Sequence, residues 1–299
     1  MARLGKLAAA GVAALIAGSA DAPRAAGVLD IEFDIVSPLA AAVVTAMDAA
    51  EAFWETQLTG YATQLAFDQI GAFELRVGDS SILPTGVTFP AAALAGAITT
   101  SFITDGQFVI AASGDIAWNE AFDFNSRPQS FVDGIAIHEV GHALGFGDFS
   151  FGLNGLIDGD DPTRYIGSEA VAAYQIESGD PTATFVPLED DGGPGTAFGH
   201  WDEFEFLNHG ADLGLDPALC DVVVNNPLPP GCEGANNPEL MTGVAPDGDF
   251  TFSQTTLAAF RDVGYLTADE NAAEVPLPLG GALLLSALGM FAYWRRKPA

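Results

Sequence analysis

Two histidines four residues apart, His138 and His142, can reach one point in space only if the chain between them is helical, so this pair fixes a helix in the middle of the sequence. Imidazoles one turn apart on one face are suited to a single metal ion, and zinc is the ion this helical spacing serves. Glu139 projects beside that face. From there a carboxylate can take a proton from water held at the metal and hand it on. The flanking sequence agrees with a helix. Ser130-Phe131-Val132-Asp133, just after Pro128, has the form of a capping box, and Gly145 follows the last apolar position, so the predicted helix runs from Ser130 to Leu144.

A catalytic zinc needs three protein ligands and one open position. Three residues offer the third: His200, His209, and Asp148, ten residues after His138. Spacing alone leaves the choice open.

Around this helix the pattern is α+β. Val28–Val36 alternates apolar and acidic residues as a half-buried strand does. Pro38 opens a predicted helix in which Leu39, Val43, Met47, Ala50, Trp54 and Leu58 share a face, and Gly60 ends it. Strands are predicted at Phe73–Val77, Ala97–Ile103 and Gln107–Ala112, the last two joined as a hairpin through Asp105-Gly106. From Gly145 to about Gly195 the sequence is rich in Gly, Asp and Pro, with a helix predicted at Ser168–Glu177. A last helix is predicted at Ser253–Asp262, capped by Ser253.

The ends read as processing signals. Met1–Lys6 is basic and Leu7–Gly18 is an uncharged apolar run, followed by Gly18-Ser19-Ala20, which predicts an export signal over 1–20 with cleavage before Asp21. Val275–Trp294 carries no charge and is long enough to span a bilayer, which takes roughly 20 residues, and Arg295-Arg296-Lys297 follows. This tail, with its Val275-Pro276-Leu277-Pro278 start, resembles the PEP-CTERM class of bacterial sorting signals in its VPLP variant. The resemblance implies an exosortase as processing partner; the plainer reading is a membrane anchor. Either places the body outside the inner membrane, at the cell surface or released. Export also permits Cys220 and Cys232 to pair.

Forty acidic residues against ten basic ones exclude a general nucleic-acid footprint and read as a solubility or salt adaptation. The acidic turns Asp158-Gly159-Asp160-Asp161 and Glu189-Asp190-Asp191 read as solvated loops; their oxygens could also serve Ca2+, although no EF-hand spacing is present.

Three segments in order, His138 to Gly147 (HEVGHALGFG), Gly195 to Glu203 (GTAFGHWDE) and Glu239 to Gly243 (ELMTG), together resemble the leishmanolysin-type metzincins and their bacterial relatives. The resemblance implies a zinc-dependent endopeptidase acting on protein or peptide substrates. It implies His200 as third ligand beside His138 and His142, Glu139 as the catalytic base, and Met241 in a turn beneath one zinc ion. It also implies a metzincin fold, with a twisted mixed sheet and helices in an upper subdomain, residues 21–146, and an irregular, loop-rich lower subdomain, residues 147–266. A linker at 267–274 would lead to the sorting segment at 275–299. The competing reading is a non-catalytic surface or matrix protein that keeps the fold for adhesion; the presence of Glu139 argues against it.

Overall fold

The computed structural model describes residues 28–83, 93–190, 196–202, 239–243 and 250–269. The expected export signal, the sorting segment, most of the linker, His209, Cys220 and Cys232 lie outside the described residues.

The fold is α+β, as expected, with a mixed sheet. Strand β1 (Ile31–Ile35) is followed by helix α1 (Ala41–Gln57), whose buried residues Val43, Ala46, Met47, Ala50 and Trp54 recur at helical spacing. The helix starts three residues after Pro38, not at it. It also stops before Gly60, because Leu58 takes an extended conformation and opens strand β2 (Leu58–Tyr61). A short helix α2 (Gln64–Ile70), capped by Thr63, leads to β3 (Phe73–Asp79), in which Phe73, Leu75 and Val77 are buried and the residues between them point away.

Strands β4 (Ala95–Thr104) and β5 (Val109–Trp118) form the expected hairpin. Asp105 Oδ1 accepts the backbone N–H of Gln107 and Phe108, at 2.9 and 2.8 Å, and Gly106 supplies a φ of +88° for the reversal. β5 is longer than its apolar pattern suggests. Gly114 and Asp115 interrupt that pattern, but Gly114 is the residue on which helix and sheet close: a Cβ there would stand 2.9 Å from Ala143 Cβ and from Leu75 Cδ2. The sheet order is β1-β3-β5-β4, with the first three strands parallel and β4 antiparallel at the edge.

Helix α3 (Gln129–Ala143) carries the paired histidines and packs on α1 and on β4 and β5. The capping box is not made. Pro128 holds the N-cap position, Ser130 falls inside the first turn and is exposed, and Asp133 instead accepts from Gln129 Nε2 one turn back at 2.7 Å. Pro128 enters the helix at φ −54° and ψ 140°, and no side chain caps it there.

Past α3 the chain reverses at Gly145, whose φ of +107° belongs to glycine. Helix α4 (Asp148–Leu153), the two-residue strands β6 (Arg164–Tyr165) and β7 (Val186–Pro187), and helix α5 (Ser168–Glu177) follow. Helix α6 (Gln254–Asp262) is capped by Ser253 as predicted, the Ser253 side chain accepting from Thr256 N–H. Strand β8 (Tyr265–Thr267) then pairs antiparallel with β2. Thr267, expected to begin the linker, is therefore fully buried in a strand opposite Leu58. An aromatic core joins the regions before and after the bend: Phe146 lies 5.0 Å from both Phe151 and Trp201, and Phe260 lies 4.7 Å from Trp54, between ring centroids.

Candidate metal centre

One helix and one downstream segment bring three imidazoles to one point. His138 and His142 come from α3, and His200 comes from the segment that runs beside Leu188 and Met241. Their Nε2 atoms form a near-equilateral triangle, 2.9 Å between His138 and His142, 3.0 Å between His142 and His200 and 3.2 Å between His200 and His138. Asp148, the alternative ligand, is exposed in the first turn of α4, and its carboxylate accepts from Phe149 N–H at 2.7 Å. The structure thus brings His200, and not Asp148, to the other two.

Each ring is oriented by its other nitrogen. His138 Nδ1 donates to the Leu240 carbonyl at 2.6 Å, His142 Nδ1 to the Phe146 carbonyl at 2.7 Å and His200 Nδ1 to the Thr196 carbonyl at 2.8 Å. A nitrogen facing a carbonyl must carry the proton, so in each neutral ring Nε2 is a bare lone pair. Three lone pairs facing one another cannot hydrogen-bond; a cation resolves the arrangement. Zinc bound at about 2.0–2.1 Å in a tetrahedron separates its ligand atoms by roughly 3.3 Å, close to the triangle seen here. Protons are the poorer alternative. Burial lowers the basicity of all three rings, and for His138, burial with the nearby His200 brings the pKa down to about 3.

Glu139 is buried on the same helix, and burial pushes its carboxyl up to about 8 despite a hydrogen bond from the backbone of Ala97 on β4. Positive charge nearby would draw that value back down, into the range where a carboxylate takes and returns a proton near neutrality.

The floor and back of the centre are packed around glycine. A Cβ on Gly141 would stand 2.9 Å from Met241 Sδ and 2.9 Å from Trp54 Cζ2, so the residue before His142 must be glycine for Met241 to lie under the helix. Trp54 Nε1 donates to the Ile137 carbonyl at 2.8 Å, tying α1 to α3. The free carbonyls at the end of α3 are also held: Thr99 Oγ1 on β4 donates to Ala143 at 3.1 Å, and Tyr265 OH donates to Leu144 at 2.9 Å.

Sequence reasoning found the histidines, Glu139 and Met241. It missed Trp54, Thr99 and Tyr265 as supports, since each acts on a backbone carbonyl and leaves no spacing signature. In the first acidic turn Asp158 accepts from Asp160 N–H, and Asp161 accepts from Thr163 N–H and Oγ1–H and pairs with Arg164 at 3.0 Å. Glu189, Asp190 and Asp202 bring carboxylate oxygens within 4.8 Å of one another.

Residues 82–210, which include the three histidines and Glu139, match the family model for leishmanolysin. Here the chain is similar to leishmanolysin. It is 27% identical over 205 residues to a leishmanolysin homolog of Crithidia fasciculata, covering 60% of this chain and 26% of that protein. It is also 27% identical over 195 residues to leishmanolysin of Leishmania tropica, covering 62% of this chain and 24% of that protein. The chain spans about a quarter of the length of these curated relatives. Among the described residues, no helix is long and apolar enough to cross a membrane.

Proposed function

We propose that this protein is a zinc-dependent endopeptidase, exported from the cytoplasm, with His138, His142 and His200 as the metal ligands and Glu139 as the base. The observation that carries the reading is the triangle of three unprotonated Nε2 atoms with a buried carboxylate beside it on the same helix. The resemblance to leishmanolysin supports the zinc assignment and the peptide substrate class.

Zinc, when bound, would supply Lewis-acid polarisation of the scissile carbonyl and of water. The protein's own residues do the rest. The backbone carbonyls of Leu240, Phe146 and Thr196 keep the ring nitrogens directed inward. Glu139 takes a proton from water on its Oε atom and returns it to the leaving amine. Strand β4 is the sheet edge beside α3, and its outer backbone groups can pair with an extended peptide, which holds the scissile bond next to Glu139.

We further propose the organisation read from the sequence: an export signal at 1–20, a catalytic body divided at the Gly145 bend, and a C-terminal segment at 275–299 that holds the chain at the membrane until an exosortase-type enzyme removes it. The composition of those segments supports it.

The test is metal content and cleavage of a generic protein substrate by the purified protein. One equivalent of zinc, and hydrolysis abolished by chelation and restored by zinc, is the expected result. Zinc uptake without any hydrolysis would favour the adhesive reading.

A further inference from the structure

We propose that Glu239, which touches none of the three histidines, is the positioning residue that holds two of them in place. The inference rests on the zinc-peptidase reading above.

Glu239 is 1% exposed, and both of its carboxyl oxygens are engaged. Oε2 accepts from Met241 N–H at 2.6 Å. Oε1 accepts from Thr256 Oγ1–H at 2.6 Å, from Ser253 Oγ–H at 2.9 Å and from Ser253 N–H at 3.2 Å. Four donors from three residues, in two segments, thus converge on one side chain.

Two branches leave it toward the metal centre. Through Oε2 it closes the turn at 239–242, reinforced by Thr242 Oγ1, which donates to the Glu239 carbonyl at 2.8 Å. That turn presents the Leu240 carbonyl to His138 Nδ1, and Met241 to the underside of α3. Through Oε1 it holds Thr256, whose hydroxyl oxygen accepts from Trp201 Nε1 at 2.7 Å. Trp201 is fully buried and adjoins His200, and its backbone N–H donates to the Met241 carbonyl at 3.0 Å. One carboxyl therefore sets a ligand of the helix and the ligand that arrives 62 residues later.

Only an acidic side chain fits. Each Glu239 partner offers a proton, and the one hydroxyl proton of Thr256 is spent on Glu239 while its lone pair serves Trp201. An amide at 239 would set N–H groups against backbone N–H donors that cannot turn away.

The bland alternative is that Glu239 merely caps α6. Glu177 provides a matched control, because it caps the same helix end, accepting from Gln254 N–H, Thr255 N–H and Thr255 Oγ1–H at 2.6–2.9 Å, and has no bond to the histidines or to the 239–242 turn.

The experiment measures zinc affinity by chelator competition on the full protein, together with thermal stability, for wild type, Glu239→Gln, Glu177→Gln and Thr256→Val. Partners that orient metal ligands alter metal affinity by about 10–100-fold when removed, and we expect a loss toward the lower end of that range for Glu239→Gln. Thr256→Val, which cuts only the Trp201 branch, should lose less, and Thr256→Ser should restore it. Glu177→Gln should lower stability and leave zinc affinity unchanged. If Glu239→Gln and Glu177→Gln have the same zinc affinity, or if Thr256→Val alone matches wild type when Glu239→Gln does not fold, the inference is overturned while the function stands. If wild type itself takes up no zinc, both fall.

Discussion

The proposed roles of Glu139 and of the three histidines differ, and substitution separates them. Glu139→Ala should keep zinc and fold while hydrolysis drops by about 100- to 10,000-fold, the usual share of a general base, and a single kinetic comparison at matched zinc content checks it. His200→Ala should lose zinc, whereas Asp148→Ala, in an exposed residue whose carboxylate accepts from Phe149 N–H, should keep it. Buried carboxyls also set the pH response. Glu239 is raised by burial to about 7 from an ordinary 4.5. A raised acid contributes stability that is complete below pH 4.5 and lost as pH climbs through 7. Melting temperature should therefore fall over that window in the metal-free protein, because burial penalises the ionised Glu239 by more than its four donors offset, and Glu139 adds to the decline in the same direction. At this scale the histidines that come together were legible in the sequence, because metal chemistry restricts both residue type and spacing. Glu239 was visible only as a letter in a motif, since its role is defined by Thr256, Ser253 and Trp201, which no local pattern connects.

At the scale of elements, the ligand helix is held by contacts to its backbone. Tyr265→Phe keeps the ring against Tyr61 and Phe260 but leaves the buried Leu144 carbonyl without its donor, which should destabilise the protein by about 1–3 kcal/mol in denaturant titrations. Gly141→Ala should cost a similar amount, roughly 1–3 kcal/mol, through overpacking against Met241 and Trp54. Trp54 is pinned by its bond to Ile137, so Met241 must yield, and zinc affinity should weaken with stability. Strand β3 followed from its alternation, and helix α6 from the Ser253 cap with the face of Leu257 and Phe260, because burial and a local cap decide them. Strands β2 and β8, at four and three residues, carry too little pattern and exist only by pairing with each other. The Ser130 capping box is not made because the helix begins at Gln129, which leaves Ser130 inside the first turn.

For the whole molecule, the bend at Gly145 and the three separated motifs were readable, but the closing contact was not. β8 returns to pair with β2, and α6 packs Phe260 on Trp54, so the body is tied from its first helix to its last strand. A chain ending at Phe252 lacks Ser253, Thr256, Phe260 and Tyr265, and it should bind no zinc even though all three histidines remain; a metal assay on that truncation checks this. The pairing of Leu58 with Thr267 also has a bearing on time. Ribosomes deliver the chain from its amino end, and contacts this distant form only after the intervening stretch exists. The histidine helix is made more than a hundred residues before the tyrosine that secures its end. During that interval the histidines of the helix are present without the tyrosine that holds its end. The held arrangement of the three imidazoles thus waits for the arrival of β8.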